Sequence, residues 1–392
     1  MNFQQEAEQV APQLVKWRRD FHRHPELGFK EHRSAEIIAE QLKDWGYTLR
    51  EGIAETGILA HLAGTGTDPG ILLRFDMDAL PIQEQSDKDY ASIHPGVMHA
   101  CGHDGHMAIG LGVASILSKY ADMLATDIYL IFQPAEEGGG GAERMIDEGV
   151  LRTTNVDTAL GIHLWNEKPL GWFGISPGPI MAGAERFEMW VRGKGGHGGM
   201  PHLTRDPLVA SAAIISGGQS IVGRNIDPLQ SGVLSFTHVR GGNNFNVIPD
   251  EVLLEGTIRT LASSTRSMII ERFKSLSKQI ALAYECEIDL SIEQVAPALV
   301  NDPKKTEVVH KIAKQLFSDQ DVDADYRVMV SEDMACFLDR IPGVFIFIGS
   351  ANEALGLSSS HHTADFDFDE RALNKAVSLL CAAVWEQAKI DD

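Results

Sequence analysis

Residues 127–137 read DIYLIFQPAEE: an apolar run that stops at a proline and is followed at once by two carboxylates. The run is too short for a helix of a globular core, and its β-branched and aromatic content marks a buried strand. Outward in both directions the pattern repeats. ILLRF (71–75) is a second such strand, ended by DMDALP, where the proline interrupts the ladder. DTALGIH (157–163) is a third, and VFIFIG (344–349) a fourth. Between them lie segments of helical period. DGHMAIGLGVASILS (104–118) places Asp104 near a helix N-cap, and SAEIIAEQLKDW (34–45) is an amphipathic helix with a serine cap. Further helices are expected near 303–317 and 369–388. This alternation predicts an α/β fold: a mostly parallel sheet with helices on both faces.

The rhythm changes near Ala184. ERFEMWVR (185–192) alternates like a half-exposed strand, and a helix follows at about 206–222. VLSFTHVRG (233–241) and EVLLEGTIRT (251–260) look antiparallel, and a long helix (264–284) and a last strand (286–293) complete the set. Strand, helix, two strands, helix, strand is the order of a small α+β domain. The expected organisation is therefore a catalytic α/β domain in two parts, 1–183 and 296–392, interrupted by an inserted domain at 184–295.

Bulk properties narrow the function. With 392 residues the chain exceeds one simple core. Its 55 acidic against 34 basic residues give a net charge of −21, which argues against nucleic acid and against an anionic membrane as partners. No apolar run approaches the ~18 residues of a membrane span. The opening MNFQQEAEQVAPQLVKWRRD lacks the pattern of a secretory signal. Cys101, Cys286, Cys336 and Cys381 form no CxxC pair, as expected of a cytoplasmic protein without a disulfide framework.

Chemistry-bearing residues gather where the strands end. Asp76 and Asp78 follow ILLRF, Glu136 and Glu137 follow IYLIF, His163 ends TALGI, and His361 and His362 follow VFIFIG after a loop. HACGHDGH (99–106) leads into a helix. All of these fall on the carboxyl edge of the sheet, where open α/β folds build their sites. Cys101 and His103, two residues apart, would point to one side of an extended segment. Thiolate, imidazole and carboxylate together suit zinc, manganese or cobalt. Of the adjacent carboxylates Glu136 and Glu137, one can bind metal while the other acts as general base.

Singly, each residue has a plainer reading. Asp104 fits a helix cap, His103 or His106 a loop or capping role, and either glutamate a solvated surface. His22, His24, His32, His61, His94, His238 and His310 have no strand-end setting and are assigned no function. It is the set 101, 103, 137, 163 and 361/362 that points to a metal. GISPG (174–178) matches a nucleophile elbow on paper, but Pro177 lacks the N–H that the oxyanion hole needs. GKGGHG (193–198) is followed by MPHLTRDP rather than a helix, which breaks the phosphate-binding geometry. Cys101 as a thiol nucleophile with a histidine base is the main alternative, though it leaves the glutamate pair and His163 without a purpose.

HACGHDGH, QPAEEGGGGA, GIHLW, GGHGGMPH and FNVIPD resemble the amidohydrolase branch of the aminoacylase and carboxypeptidase G superfamily. That branch includes hippurate hydrolases, auxin-conjugate amidohydrolases and N-acetyldiaminopimelate deacetylases. The likeness runs from HRHPELGF (22–29) to HHTADFDFDE (361–370). It implies two divalent metal ions per subunit, manganese or zinc, with cobalt or nickel also fitting. Cys101, His103, Glu137, His163 and His362 match the ligand positions, and Glu136 matches the general base. His362 is preferred to His361 because the last ligand lies four residues before an aromatic, here Phe366; where the family has a proline two residues after that histidine, this chain has Ala364. The inserted domain resembles a lid that also forms a homodimer or higher oligomer. Its His197 matches a histidine that polarises the scissile carbonyl, and Asn246 and Arg259 match substrate contacts. Asp76 and Asp78 match supporting aspartates. On this likeness Cys101 is a ligand rather than a nucleophile. The implied activity is hydrolysis of small N-acyl amino acids by metal-activated water. A dipeptidase or carboxypeptidase of the same superfamily is the alternative, as is a metal-binding protein without turnover, which the intact Glu136 opposes.

Overall fold

The run Ile71–Phe75 lies inside an eight-stranded sheet in the computed structural model, which describes residues 1–389. Its body is β1 (Thr48–Ile53), β2 (Gly57–Leu62), β3 (Asp68–Asp76), β4 (Thr126–Gln133), β5 (Val156–Pro169) and the strand Gly343–Ala351. β4, β3, β5 and Gly343–Ala351 are parallel neighbours. β1 and β2 add an antiparallel edge beyond β4, and the two-residue strand Phe173–Gly174 runs antiparallel to Gly343–Ala351 on the other side. The mostly parallel sheet expected from the apolar runs forms the centre. The β1–β2 edge was not foreseen, because TLREGI buries only its last residue and carries no apolar alternation.

Central strands are buried on both faces, which is why they read as continuous apolar runs. Ile71, Leu73 and Phe75 of β3 and Ile128, Leu130 and Phe132 of β4 enter one core with α1 (Phe3–Arg23), α3 (His103–Leu117) and the helix Arg371–Ala388. On the opposite parity, a Cβ added at Gly161 of β5 would meet Met334 of the helix Met334–Leu338. Every residue of α3 except Ser115 is buried. A methyl at Gly110 would come within 2.7 Å of the Phe132 ring, and one at Gly112 within 2.6 Å of Leu14. Glycine there lets α3 lie close against both neighbours, and overpacking would cost about 1–3 kcal/mol.

The helix α2 (His32–Asp44) departs from expectation at its start. Ser34 is not its cap but lies in the buried stripe with Ile38, Ala39 and Leu42. Glu31 occupies the N-cap, and the carboxylate of Glu26 accepts the N–H groups of Arg33 (3.0 Å) and Ser34 (2.8 Å). A carboxylate from the preceding turn thus satisfies the orphan donors.

The chain divides into two compact units, and the one just described is formed by Met1–Gly178, Val300–Arg327 and the residues from Asp333 onward. The second comprises Pro179–Leu299 and Val328–Glu332. In it the strand Gly183–Arg192 lies between Glu251–Thr260 and Glu287–Ala296, and Gly232–Gly241 forms the edge beside Glu251–Thr260; all pairs are antiparallel. The helices Pro207–Asn225 and Ser263–Ala283 share a core with Phe187, Met189 and Val191. Asp206 caps the first of these helices by accepting the N–H groups of Leu208 and Val209, with Pro207 in the first turn. A two-residue strand, Gly196–His197, pairs with Val247–Ile248. Among the described residues, no helix is long and apolar enough to cross a membrane.

Candidate metal centre

The loop after β4 is organised by carboxylates that accept its backbone donors. Asp78 takes the N–H of Glu136 on one oxygen (3.0 Å) and that of Glu137 on the other (2.9 Å). Glu31 takes the N–H of Ala135 (3.0 Å), a residue held at φ 52°. Non-glycine residues reach that region at a cost, which the carboxylate bonds offset. The supporting role expected of Asp78 thus takes the form of two hydrogen bonds to the segment that carries the glutamate pair.

HACGHDGH does not run extended, as the two-residue spacing implied. Gly102 adopts φ 92° at the N-cap of α3, and His103 is already the first helical residue. Cys101 and His103 converge because the chain turns at this glycine, not because side chains alternate. Asp104 is also not a cap: its carboxylate accepts Arg18 Nε and His22 Nδ1, both at 2.8 Å, deep in the interior. His22, given no function from its sequence setting, is buried in this network and also contacts Glu84 at 3.3 Å. His163 does not end its strand either. β5 continues to Pro169 because Gly343–Ala351 keeps pairing with it past the His163–Phe347 register.

These segments bring the expected residues together. Ligand atoms of Cys101, His103 and His163 lie within 4.8 Å of one another, as do those of Cys101, Glu137 and His362, and those of His103, Glu136 and Glu137. Cys101 Sγ is 3.5 Å from His163 Nε2, and His362 Nε2 is 3.1 Å from Glu137 Oε1. Of the histidine doublet, His362 joins the cluster from a φ of 64°. His361 turns away: its Nε2 donates to Leu164 O at 3.0 Å and its ring lies against Trp165 and Phe366.

His106 faces the same interior. Its Nε2 accepts the Leu164 N–H at 2.9 Å, so its proton sits on Nδ1 and is donated to Asp76 at 2.6 Å. Asp76 also accepts from Arg74 at 2.6 Å. Arg74 is a buried arginine inside the apolar run of β3, and it also donates to Gln133 and Asp333. Sequence reasoning passed over all three. The available signal was Arg74 itself, since a guanidinium in a strand buried on both faces requires carboxylates nearby.

The electrostatics are those of an acceptor-rich interior. Burial and the carboxylates of Glu137 and Glu136 push the Cys101 thiol well above its usual range. Burial, reinforced by His106 and His361, holds His163 well below the usual imidazole value. Burial opposes charge on His103, yet Asp76 and Asp78 carry its pKa well up. Burial also opposes charge on Glu137, yet His362 and His103 hold it below the ordinary carboxylate range. Burial lifts Asp333 to about 6, against the pull of Arg74. His103 Nε2 is buried without a hydrogen-bond partner, and Glu137 Oε1 faces the His362 imidazole at 3.1 Å. Carboxylates and imidazoles crowded together out of water are costly unless a cation balances them. A thiolate, imidazoles and carboxylates so arranged fit divalent metal.

His197, Asn246 and Arg259 belong to the second unit. His197 is exposed, and its Nδ1 accepts the N–H of Gly199 at 2.9 Å. Gly198 N–H donates to Asn246 O at 2.8 Å, so His197 and Asn246 share one pair of short strands and turns. Arg259 is half-buried and donates to Ser331 Oγ at 2.5 Å. It forms no ion pair among the described residues, and burial lowers its pKa.

Residues 72–386 match the family described as Peptidase family M20/M25/M40. An N-acetyl-L-cysteine deacetylase of Bacillus subtilis is 39% identical over 384 residues, covering 97% of this chain and 88% of that protein. Thermostable carboxypeptidase 2 of Saccharolobus solfataricus is 38% identical over 373 residues, covering 94% of this chain and 93% of that one. The crystal structure of the Bacillus subtilis YXEP protein, a dinuclear metal binding peptidase from the M20 family, superposes with a TM-score of 0.84 at 32% identity, covering 96% of this chain and 98% of that one.

Proposed function

The chain belongs to peptidase family M20/M25/M40 and is a hydrolase of amide bonds, and we propose that it cleaves N-acyl amino acids that carry a free α-carboxylate. The observation that carries this reading is the convergence of the ligand atoms of Cys101, His103, Glu137, His163 and His362 in overlapping groups, with Glu136 beside them. The two named relatives act on different substrates. A deacetylase of N-acetylcysteine and a carboxypeptidase nonetheless cut the same kind of bond: an amide whose nitrogen belongs to an amino acid with a free carboxylate.

Cys101, His103, Glu137, His163 and His362 would hold two divalent ions, manganese or zinc, with cobalt and nickel also suited to these donors. When bound, the ions supply Lewis acidity to the scissile carbonyl and lower the pKa of water. Glu136 takes a proton from water at a carboxylate oxygen and returns it to the leaving nitrogen as the C–N bond breaks, which yields a carboxylic acid and a free amino acid. His197 donates a hydrogen bond to the carbonyl oxygen as negative charge develops there. Arg259 receives the substrate carboxylate, because a half-buried guanidinium without an anionic partner can take one in a bidentate pair. Asn246 adds a hydrogen bond to the substrate. The second unit pairs with its counterpart to form a homodimer. A thiol mechanism is disfavoured, since burial and two carboxylates keep Cys101 protonated while His163 stays neutral.

The test is hydrolysis of a panel of N-acetyl and N-benzoyl amino acids, their carboxamides, and dipeptides, with and without chelator. We expect turnover of the N-acyl amino acids, lost with chelator, restored by manganese or zinc, and absent on the carboxamides. Dipeptides cleaved well ahead of N-acyl amino acids would replace this reading with a dipeptidase or carboxypeptidase. Turnover that survives metal removal would return Cys101 to the role of nucleophile.

A further inference from the structure

The loop that carries Glu136 continues through four glycines, 138–141, two of them at φ 81° and 71°. A segment so poor in side chains cannot fix a general base by packing. The base must nevertheless be held within roughly 0.5 Å of its working position. Asp78 holds the backbone of Glu136 and Glu137 through their N–H groups. Asp333 reaches further. It is buried, immediately before the helix Met334–Leu338, and touches the loop region at three points. Its carboxylate accepts Ala142 N–H at 3.0 Å, just past the glycines. It accepts Gln133 Nε2 at 2.8 and 2.9 Å, at the end of β4. Its own backbone N–H donates to Glu136 Oε1 at 3.4 Å.

Asp333 is itself anchored. Arg74 Nη2 donates to its Oδ1 at 2.7 Å, while Arg74 Nη1 donates to Asp76 at 2.6 Å. Asp76 accepts from His106, and His106 accepts from the backbone beside His163. A buried chain of hydrogen bonds therefore runs from the His163 segment to the Glu136 carboxylate. With every side chain in it satisfied, such a chain is rigid.

We propose that Asp333 is a positioning residue for Glu136, clasping both ends of the glycine loop and aiming the Glu136 carboxylate through its own backbone N–H. The proposal rests on Glu136 as the general base. Asp333 need not touch substrate or metal; it acts through Glu136.

The test is a mutant cycle in the metal-loaded enzyme with N-acetyl amino acid as substrate. Asp333→Asn keeps the shape but turns one of the two acceptor oxygens into a donor that faces Gln133 and either Arg74 or Ala142, so the clasp opens. A misplaced base costs about 10- to 100-fold. We expect kcat to fall by about that factor, KM to stay within about threefold, and metal-binding isotherms to match wild type. In a Glu136→Gln background the same substitution should change the residual rate less than about twofold, because groups that act as one unit are not additive. Gln133→Met, which removes the Nε2 amide that hydrogen-bonds both Asp333 oxygens at nearly constant volume, should lower kcat in the same direction by less, and it carries the cycle if Asp333→Asn does not fold. Wild-type kcat in both single variants, equal losses in both backgrounds, or loss of metal in Asp333→Asn would each overturn the proposal. An active Glu136→Gln enzyme would instead remove the base assignment, so the two failures are separable.

Discussion

His103 and His197 stand in opposite surroundings. His103 is fully buried in the first turn of α3, with Nδ1 2.9 Å from Asp78 O and Asp76 and Cys101 around it. His197 is exposed on a two-residue strand, with one local hydrogen bond to Gly199. The arginines repeat the contrast. Arg18 is clasped by Asp104 and Asp367, and Arg74 by Asp76 and Asp333, all four carboxylates being buried. Arg259 has a serine hydroxyl and, among the described residues, no ion-paired carboxylate. A charge taken out of water needs an opposite charge. The first unit supplies its own, whereas on the proposed reading the second leaves that place to substrate. The difference teaches where to look for substrate recognition: at a guanidinium that no carboxylate clasps, not at one held by two.

The contrast breaks most readily at the base. Glu136→Gln should lower kcat by about 100- to 10,000-fold, with metal content by elemental analysis unchanged. Loss of metal in this variant would exchange the roles of Glu136 and Glu137. The next effect belongs to the exposed histidine. His197→Ala should cost about 2.7–4 kcal/mol in kcat, roughly 100- to 1,000-fold, with no change in melting temperature. Refolded together with Glu136→Gln, it should recover about a quarter of wild-type activity if His197 acts across a dimer, because half the dimers are mixed and each has one complete site. Confirmed mixed dimers without recovery would confine His197 to its own subunit.

A smaller effect separates the arginines. Arg259→Met should raise KM for an N-acyl amino acid by about 10- to 100-fold, as expected when a charged hydrogen bond is lost. Any residual rate on the carboxamide should be untouched. Equal losses on both substrates would assign Arg259 a structural role like that of Arg18. The smallest effect is on stability. Burial opposes charge on Glu84, but His22, Ser86 and the Ser92 N–H hold its carboxylate down to about 2, from an ordinary 4.5. A carboxylate depressed in the folded state contributes stability that is present above about pH 4.5 and lost as the pH falls towards 2. Urea midpoints should therefore drop across that window, and Glu84→Gln should be less stable at pH 7 and flatter between pH 4.5 and 2. Parallel curves would assign the acid sensitivity to other groups, such as Asp369, also held at about 2.

Much of this was legible beforehand. The apolar runs at 71–75, 127–132 and 344–349 are strands, and the helix after HACGHDGH is where its period placed it. Of the residues singled out, Cys101, His103, Glu136, Glu137, His163 and the preferred member of the histidine doublet, His362, share overlapping groups of metal-capable atoms. The misreadings share a cause. Asp104 looked like a cap, Ser34 like another, and Cys101 and His103 like an extended pair, because local pattern supplies the nearest local partner. In the fold Asp104 answers Arg18 from 86 positions away, and the turn at Gly102 overrides alternation.

What the sequence by itself determined is whatever repeats over a few residues or is carried by residue type: strands and helices by their period, and a metal-capable donor set by its thiol, imidazoles and carboxylates. What only the tertiary structure decided is the partner of each buried charge. Arg74 meets Asp333 across 259 positions, and Arg18 meets Asp367 across 349. No period encodes such pairings. They arise when the sheet and α3 exclude water, because a charge that has lost its hydration must find its partner wherever the fold has brought one.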